Sequence, residues 1–245
     1  MYSFFAMMAR MKNIERWALM RNSIQENISE HSLEVAMLAH GLSLIANEKC
    51  GKHVDTNEIA LMGMYHDANE IITGDMPTPV KYYDDDIKEA YKRVEYVASK
   101  KMVDKLPDYM KKHYEKLFFP QEDKAYEWRL VKAADKLSAL IKCKQELNSG
   151  NQEFKTAYET TKKALHDMNM EEVEVFMQDF LPAYDLTLAN CKQNNRSHIL
   201  HRLNTELTIS ECGLKDSEKA TSITVSNMSA MGQPGQNSQD TSSGK

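Results

Sequence analysis

The placement of the helix breakers constrains this chain more than any other feature. Of nine glycines, four (Gly213, Gly232, Gly235 and Gly244) fall in the last stretch of the 245 residues, and only six prolines are spread over the whole. An all-β or Rossmann fold draws on many more such residues for its turns. The body of the chain therefore reads as helical. With 42% hydrophobic residues it can bury one large core or two small ones.

The helix signals follow in order. Met1 to Ile14 carries Phe4, Phe5, Met8 and Met11 near a helical period, which predicts a short amphipathic helix packed on the body. Asn27-Ile28-Ser29-Glu30 has the form of a capping box, and the run Leu33 to Leu42 behind it is apolar on nearly all sides, as for a helix through the centre of a domain. Asp55 to Glu58 repeats the capping signature and opens a helix that turns Leu61, Met64 and Tyr65 inward and ends near His66 and Asp67. Gly74 suits its end, and Pro77 and Pro79 predict an irregular loop from Gly74 to Pro79.

Asp84 to Asp86 give the next helix an acidic start, with Ile87, Ala90, Tyr91, Val94, Val97 and Ala98 as its apolar stripe. Pro107 opens a short helix. Asp123 is expected to cap a long one that buries Leu130, Val131, Ala134, Leu137, Leu140 and Ile141. Two more helices are expected over residues 152–167 and 171–180, then, past Pro182, a last one ending near His201 or Leu203. Beyond about Thr205 apolar periodicity vanishes. Residues 1–204 are thus expected to form one domain and residues 205–245 a disordered polar tail.

Charge narrows the function. A formal net charge of -5, with both signs interspersed, argues against binding a nucleic acid polymer. No stretch approaches the apolar length of a membrane span, and the four scattered cysteines suit reduced thiols. A soluble cytoplasmic protein is expected, with no membrane partner. P-loop, GxGxxG, GxSxG and HExxH patterns are absent.

What remains is a set of residues conspicuous for position. His66 and Asp67 sit side by side at the end of an apolar helix. An isolated dipeptide of this kind is ordinarily a hydrogen-bonded imidazole beside a solvated carboxylate. His31, however, opens the central helix, and Asp135 lies in a buried run, where a carboxylate costs several kcal/mol unless paired or bound to metal. Asp135 could instead pair with Lys132 or Lys136. His53, His113, His166, His198 and His201 fall in polar or late positions and read as surface residues. Arg16 and Trp17 stand together early in the chain, where a Trp is usually core and an Arg usually surface. Two imidazoles and two carboxylates suit Mn²⁺, Co²⁺, Fe²⁺, Ni²⁺ or Zn²⁺.

The order H…HD…D resembles the HD-domain phosphohydrolase superfamily. Arg16-Trp17, Asn27 to Ser32 (NISEHS), Tyr65 to Glu70 (YHDANE), Gly74 to Lys81 (GDMPTPVK) and Lys132 to Asp135 (KAAD) are together similar to the bacterial HD-domain 5′-deoxynucleotidases. The resemblance runs to roughly residue 190. It implies an all-α HD-domain helical bundle with a metal site at its centre. His31, His66, Asp67 and Asp135 would hold one divalent cation, cobalt, manganese or another first-row ion.

The resemblance further implies that Arg16 orients the substrate phosphate, Trp17 lines the sugar or base side, and Glu70 handles the proton. Asp75, Met76, Pro77 and Thr78 would form the loop that reads the deoxyribose, and Asp67 and Asp135 would also face the substrate. Asn69 stands where a small residue such as Ser is common, a change expected to matter little. The implied substrate is a deoxyribonucleoside 5′-monophosphate and the implied assembly a homodimer. The residue types agree. A bound cation lowers the pKa of its water from ~15.7 toward ~7, and Arg offers planar paired donors to phosphoryl oxygens. Glu70, a helical turn beyond His66, is expected on the same helix face. Shape-based rejection of a ribose hydroxyl reaches roughly 10²-fold at best, so sugar selectivity should be incomplete.

Overall fold

In the computed structural model, which describes residues 1–81 and 83–192, a helical stretch opens at residues 188–192, and before it the helix signals become ten α-helices with 3-10 turns between them. They are α1 (Phe4–Met8), α2 (Ile28–Lys49), α3 (Thr56–Tyr65), α4 (Glu70–Thr73), α5 (Thr78–Lys81), α6 (Asp85–Val103), α7 (Asp108–Phe118), α8 (Ala125–Asn148), α9 (Lys155–His166) and α10 (Glu171–Asp179). No strand occurs among the described residues; a single bridge joins Glu15 to Asn27. All ten helices lie in one unit, Met1–Asp185. The end expected for the last helix, His198, His201 and the tail from 205 lie outside the described residues.

The longest helices, α2 and α8, form the middle, with α3 packed against both. The start of α2 is set locally. Asn27 Oδ1 accepts from the N–H groups of Ser29 (3.0 Å) and Glu30 (3.1 Å), while Glu30 Oε2 accepts from the Asn27 N–H at 3.2 Å. Two otherwise orphaned amides and the cap itself are thereby satisfied. Asp55 caps α3 in the same way through Asn57 and Glu58. At Gly63 the two helices approach so closely that a Cβ would lie 3.1 Å from Ala36 Cα. The apolar face expected of α8 is buried throughout, from Leu130 to Ile141.

Several expectations are corrected. First, α2 is not buried all round. Val35, Ala39 and Leu42 face the core, but Leu33, Met37 and Leu44 are exposed, because α3, α8 and α10 cover only part of its circumference. On α3 it is Ile59, Met62 and Gly63 that turn inward, while Leu61 and Met64 are exposed. Second, the stripe read on α6 is mostly surface. Tyr91, Ala98, Met102 and Val103 are buried, whereas Ile87, Val94 and Val97 are exposed. Val94 and Val97 line a shallow apolar groove with Ile72.

Third, Asp123 does not cap α8. A 3-10 turn, Glu122–Lys124, leads straight into the helix and takes Asp123 inside it. Fourth, the irregular loop after Gly74 is shorter than expected. Gly74, at φ 74°, ends α4, but α5 already begins at Thr78. Pro79 is tolerated there because the first turn of a helix does not use its N–H groups.

Candidate metal and phosphate site

His31 lies in the first turn of α2 and is fully buried. His66 follows the last residue of α3, and Asp67 stands one residue on, in the turn that separates α3 from α4. Asp135 comes from the middle of α8. The fold gathers these four so that one ligand atom from each lies within 4.8 Å of the others. His31 Nε2 is 3.3 Å from Asp135 Oδ1 and 3.5 Å from Asp67 Oδ2, and His66 Nε2 is 2.9 Å from Asp67 Oδ2. Asp135 thus finds its partner across the helix interface, and no ion pair to Lys132 or Lys136 forms among the described residues.

The electrostatics follow from the crowding. Burial weakens the hold of His66 on a proton, but Asp67, Asp135 and the Gly63 carbonyl outweigh it and raise its pKa to about 8. Burial likewise opposes ionisation of Asp67, and His66 and His31 drive its pKa well below the ordinary value. Asp135 is held at about 2 against burial, chiefly by His31. Both imidazole Nε2 atoms are buried without a hydrogen-bond partner. Unsatisfied nitrogens aimed at two ionised carboxylates fit a divalent cation of borderline hardness, and the donor set is N₂O₂.

Arg16 and Trp17 lie on the segment between α1 and α2. Neither is simply core or surface; both are half-buried, and both bind Glu26, through Arg16 Nη1 (3.3 Å) and the Trp17 indole N–H (2.7 Å). Trp17 adopts φ 60°, unusual for a bulky side chain, and its ring packs on Phe154 with centroids 5.4 Å apart. Burial works against the Arg16 charge, but Glu26, Asp135, Asp67 and Asp75 together raise its pKa. Arg16 therefore stands in the field of the His/Asp cluster.

Glu70 opens α4 as a new helix rather than continuing α3, because residues 66–69 form a turn. This turn, rather than a helix face shared with His66, brings Glu70 into the field of Asp67. Burial first, then Asp67 and Asp75, push the Glu70 pKa up to about 10, and its Oε2 has no hydrogen-bond partner. Asp75 follows Gly74 and is half-buried; burial raises its pKa against the pull of Arg16. Met76 and Pro77 are half-buried, and Thr78 is exposed at the start of α5. Lys81 bonds Glu95 at 2.7 Å. Asn69 is buried beside Glu70 without a side-chain cap bond. His53, His113 and His166 are exposed.

Sequence reading missed the groups behind this cluster. Glu26 joins Arg16 to Trp17. Ser138 Oγ lies 3.0 Å from His31 Nδ1 and donates to Glu34 Oε2 at 2.6 Å. Glu146, buried with Lys142, accepts from the backbone N–H groups of Ser23 and Ile24 and ties the Trp17 segment to α8. One signal was available for Ser138 and Glu34. Each stands three residues past a candidate ligand on the same helix, the spacing at which side chains meet.

An all-helical bundle with a His/His-Asp/Asp cluster between its central helices defines the class. The fold is that of an HD-domain phosphohydrolase from Listeria innocua, at 23% identity and TM-score 0.66, over 74% of this chain and 88% of that one. A protein from Pyrococcus horikoshii aligns with TM-score 0.56 at 23% identity, over 75% and 97% of the two chains. Within that class, residues 3–184 match the family described as 5′-deoxynucleotidase YfbR-like, and the chain belongs to this family. It is 45% identical over 192 residues to a 5′-deoxynucleotidase of Klebsiella pneumoniae, covering 78% of this chain and 96% of the relative. A 5′-deoxynucleotidase of Vibrio vulnificus is 42% identical over 185 residues, covering 76% and 95%.

Proposed function

We propose that this chain is a metal-dependent phosphomonoesterase that hydrolyses deoxyribonucleoside 5′-monophosphates to deoxynucleosides and phosphate. The observation that carries the reading is the meeting of three unlike groups in one place. These are a His31/His66/Asp67/Asp135 cluster fit for a divalent cation, the Arg16 guanidinium in its field, and a Glu70 that keeps its proton at neutral pH. The 42–45% identity to 5′-deoxynucleotidases over most of the chain supports it.

In this reading His31, His66, Asp67 and Asp135 hold the cation, cobalt, manganese or another first-row ion. When bound it supplies Lewis acidity toward a phosphoryl oxygen and toward the attacking water. Arg16 donates paired N–H groups to the remaining phosphoryl oxygens, and Glu26 fixes its orientation from behind. Glu70 gives its proton to the departing 5′-oxygen, a role its raised pKa suits. Trp17 walls the sugar and base side. Asp75, with Met76, Pro77 and Thr78 beyond it, takes the deoxyribose.

The test is phosphate release from dAMP, dGMP, dCMP and dTMP, and from their ribonucleotide counterparts, across Co²⁺ and Mn²⁺. Release from the deoxynucleotides, up to roughly 10²-fold over the ribonucleotides and lost in Asp67→Ala, is expected. Equal rates on AMP and dAMP would remove the sugar specificity, and pyrophosphate or triphosphate as product would assign the site another nucleotide.

The reading includes a homodimer and a cytoplasmic setting. Leu33, Met37 and Leu44 form an exposed apolar stripe on α2 that a second copy would cover. Sedimentation at twice the 28.1 kDa chain mass is the supporting result, and a single-chain mass the opposing one. Cys50, Cys143 and Cys191 are free, as suits a reducing compartment. Among the described residues no helix is long and apolar enough to cross a membrane.

A further inference from the structure

The two imidazoles of the cluster are oriented by different means. His66 Nδ1 lies 2.7 Å from the Gly63 carbonyl oxygen, which can only accept. Nδ1 must therefore carry a hydrogen, and Nε2 is the nitrogen that faces Asp67 and is left to ligate a cation. His31 has no such carbonyl. Its Nδ1 meets Ser138 Oγ, a hydroxyl able to donate or accept.

The direction is decided one bond further away. A hydroxyl has a single hydrogen, and Ser138 commits it to Glu34 Oε2 at 2.6 Å, a length typical of a hydroxyl donating to a carboxylate. Only lone pairs remain for His31. Nδ1 must donate, so in the neutral ring Nε2 is the nitrogen left to ligate, and it faces Asp135 and Asp67 at 3.3 and 3.5 Å. Glu26 Oε1 lies 4.0 Å from Nδ1, beyond hydrogen-bond reach, while Arg16 and Trp17 bond the other oxygen of that carboxylate, Oε2.

The serine is also placed unlike an ordinary helical serine. A buried helical hydroxyl commonly returns its hydrogen to a carbonyl one turn back. Ser138, fully buried in α8, instead spans to α2 on both sides, reaching residues 107 and 104 positions earlier in the chain.

We propose that Ser138 and Glu34 are positioning residues: the chain from Glu34 through Ser138 to His31 locks the imidazole tautomer and ring angle, and thereby sets the affinity of the cluster for a divalent cation. This rests on the reading of His31 as a metal ligand, and partners behind a ligating histidine are known to govern affinity in this way. The relay also explains why a buried hydroxyl and a half-buried carboxylate that touch neither cation nor substrate are held together.

The test uses the full-length chain, stripped of metal and titrated with Co²⁺ while its visible absorption is followed. Ser138→Ala should bind Co²⁺ about 10–100-fold more weakly than the parent, with an unchanged spectral shape because the four ligands remain. Ser138→Thr keeps the hydroxyl and should restore binding to within about threefold. The pair Ser138→Ala/Glu34→Ala should cost no more than Ser138→Ala alone, since one chain is broken once.

Ring-nitrogen NMR on the metal-free parent, at a pH high enough to give the neutral ring, should show His31 as the Nδ1–H tautomer, and this preference should fade in Ser138→Ala. Parent-like affinity in Ser138→Ala, fully additive losses in the double variant, or an Nε2–H tautomer in the parent would overturn the relay. If the parent binds Co²⁺ and His31→Ala abolishes binding, such a result sinks the relay and leaves the cluster reading intact. If the parent does not bind Co²⁺ at all, the cluster reading fails and the relay with it.

Discussion

Glu70 holds a proton that its surroundings do not let go. Burial is the largest cause, Asp67 and Asp75 add to it, and Arg16 and Lys81 offset only part, so the carboxyl titrates near 10 rather than 4.5. If it serves as the general acid, Glu70→Gln should lower kcat by about 10²–10⁴-fold with KM little changed, measured as phosphate release from dAMP. The same shift has a second consequence in the metal-free protein. A folded-state pKa above the unfolded one gives stability that is fully present below about pH 4.5 and is lost as pH rises through about 10. His66, raised from 6.5 to about 8, acts in the same sense, its share present below 6.5 and lost through 8. The urea midpoint of the metal-free chain should therefore fall between about pH 6 and about pH 9. Glu70→Gln should remove part of that slope and leave the His66 part. A midpoint that is flat or rises over this range would contradict the assignment.

At the scale of elements, the decisive contact is the crossing of α2 and α3 at Gly63. A Cβ there would meet Ala36 Cα at 3.1 Å and Val35 O at 3.2 Å, both backbone, so the helices must part to admit it. Because the Gly63 carbonyl also orients His66, the strain passes directly to the cluster. Gly63→Ala is expected to cost about 1–3 kcal/mol, read from urea unfolding, and to weaken Co²⁺ binding as well. Gly41 on α2 is the comparison. Open space lies where its Cβ would stand, so Gly41→Ala should be neutral or stabilise by up to about 1 kcal/mol. This contrast shows what can and cannot be read from sequence. Asp135 was legible because a carboxylate among Ala133, Ala134 and Leu137 demands a partner wherever the helix goes. The two capping signatures were legible because they are satisfied within four residues. The exposed sides of α2, α3 and α6 were not, because periodicity places apolar residues on one face without naming the helix that covers it. Ser138 and Glu34 escaped for a related reason: neither residue is costly in a helix until the partner across the interface is known.

Taken whole, the molecule brings its cluster together from three places: α2 supplies His31, the turn after α3 supplies His66 and Asp67, and α8 supplies Asp135. Without a cation, two ionised carboxylates face one another across the centre, and Asp67 raises the pKa of Asp135 against the pull of the histidines. A cation would relieve that repulsion and tie the three elements to one another, and it would find no such site in the unfolded chain. Ligand binding to the folded state alone stabilises by about 2.7 kcal/mol at a hundredfold excess over Kd. For a domain of this size each kcal/mol moves Tm by about 2–4 °C. Metal-loaded protein should accordingly melt about 5–10 °C above chelator-treated protein, measured by differential scanning fluorimetry with Co²⁺ or Mn²⁺ against a chelator. Asp135→Ala should abolish the difference, because the site then loses one of its two carboxylates and the only contribution from α8. A shift of the same size in Asp135→Ala would mean that the stabilising ion sits elsewhere, and would separate the fold's stability from the chemistry proposed for its centre.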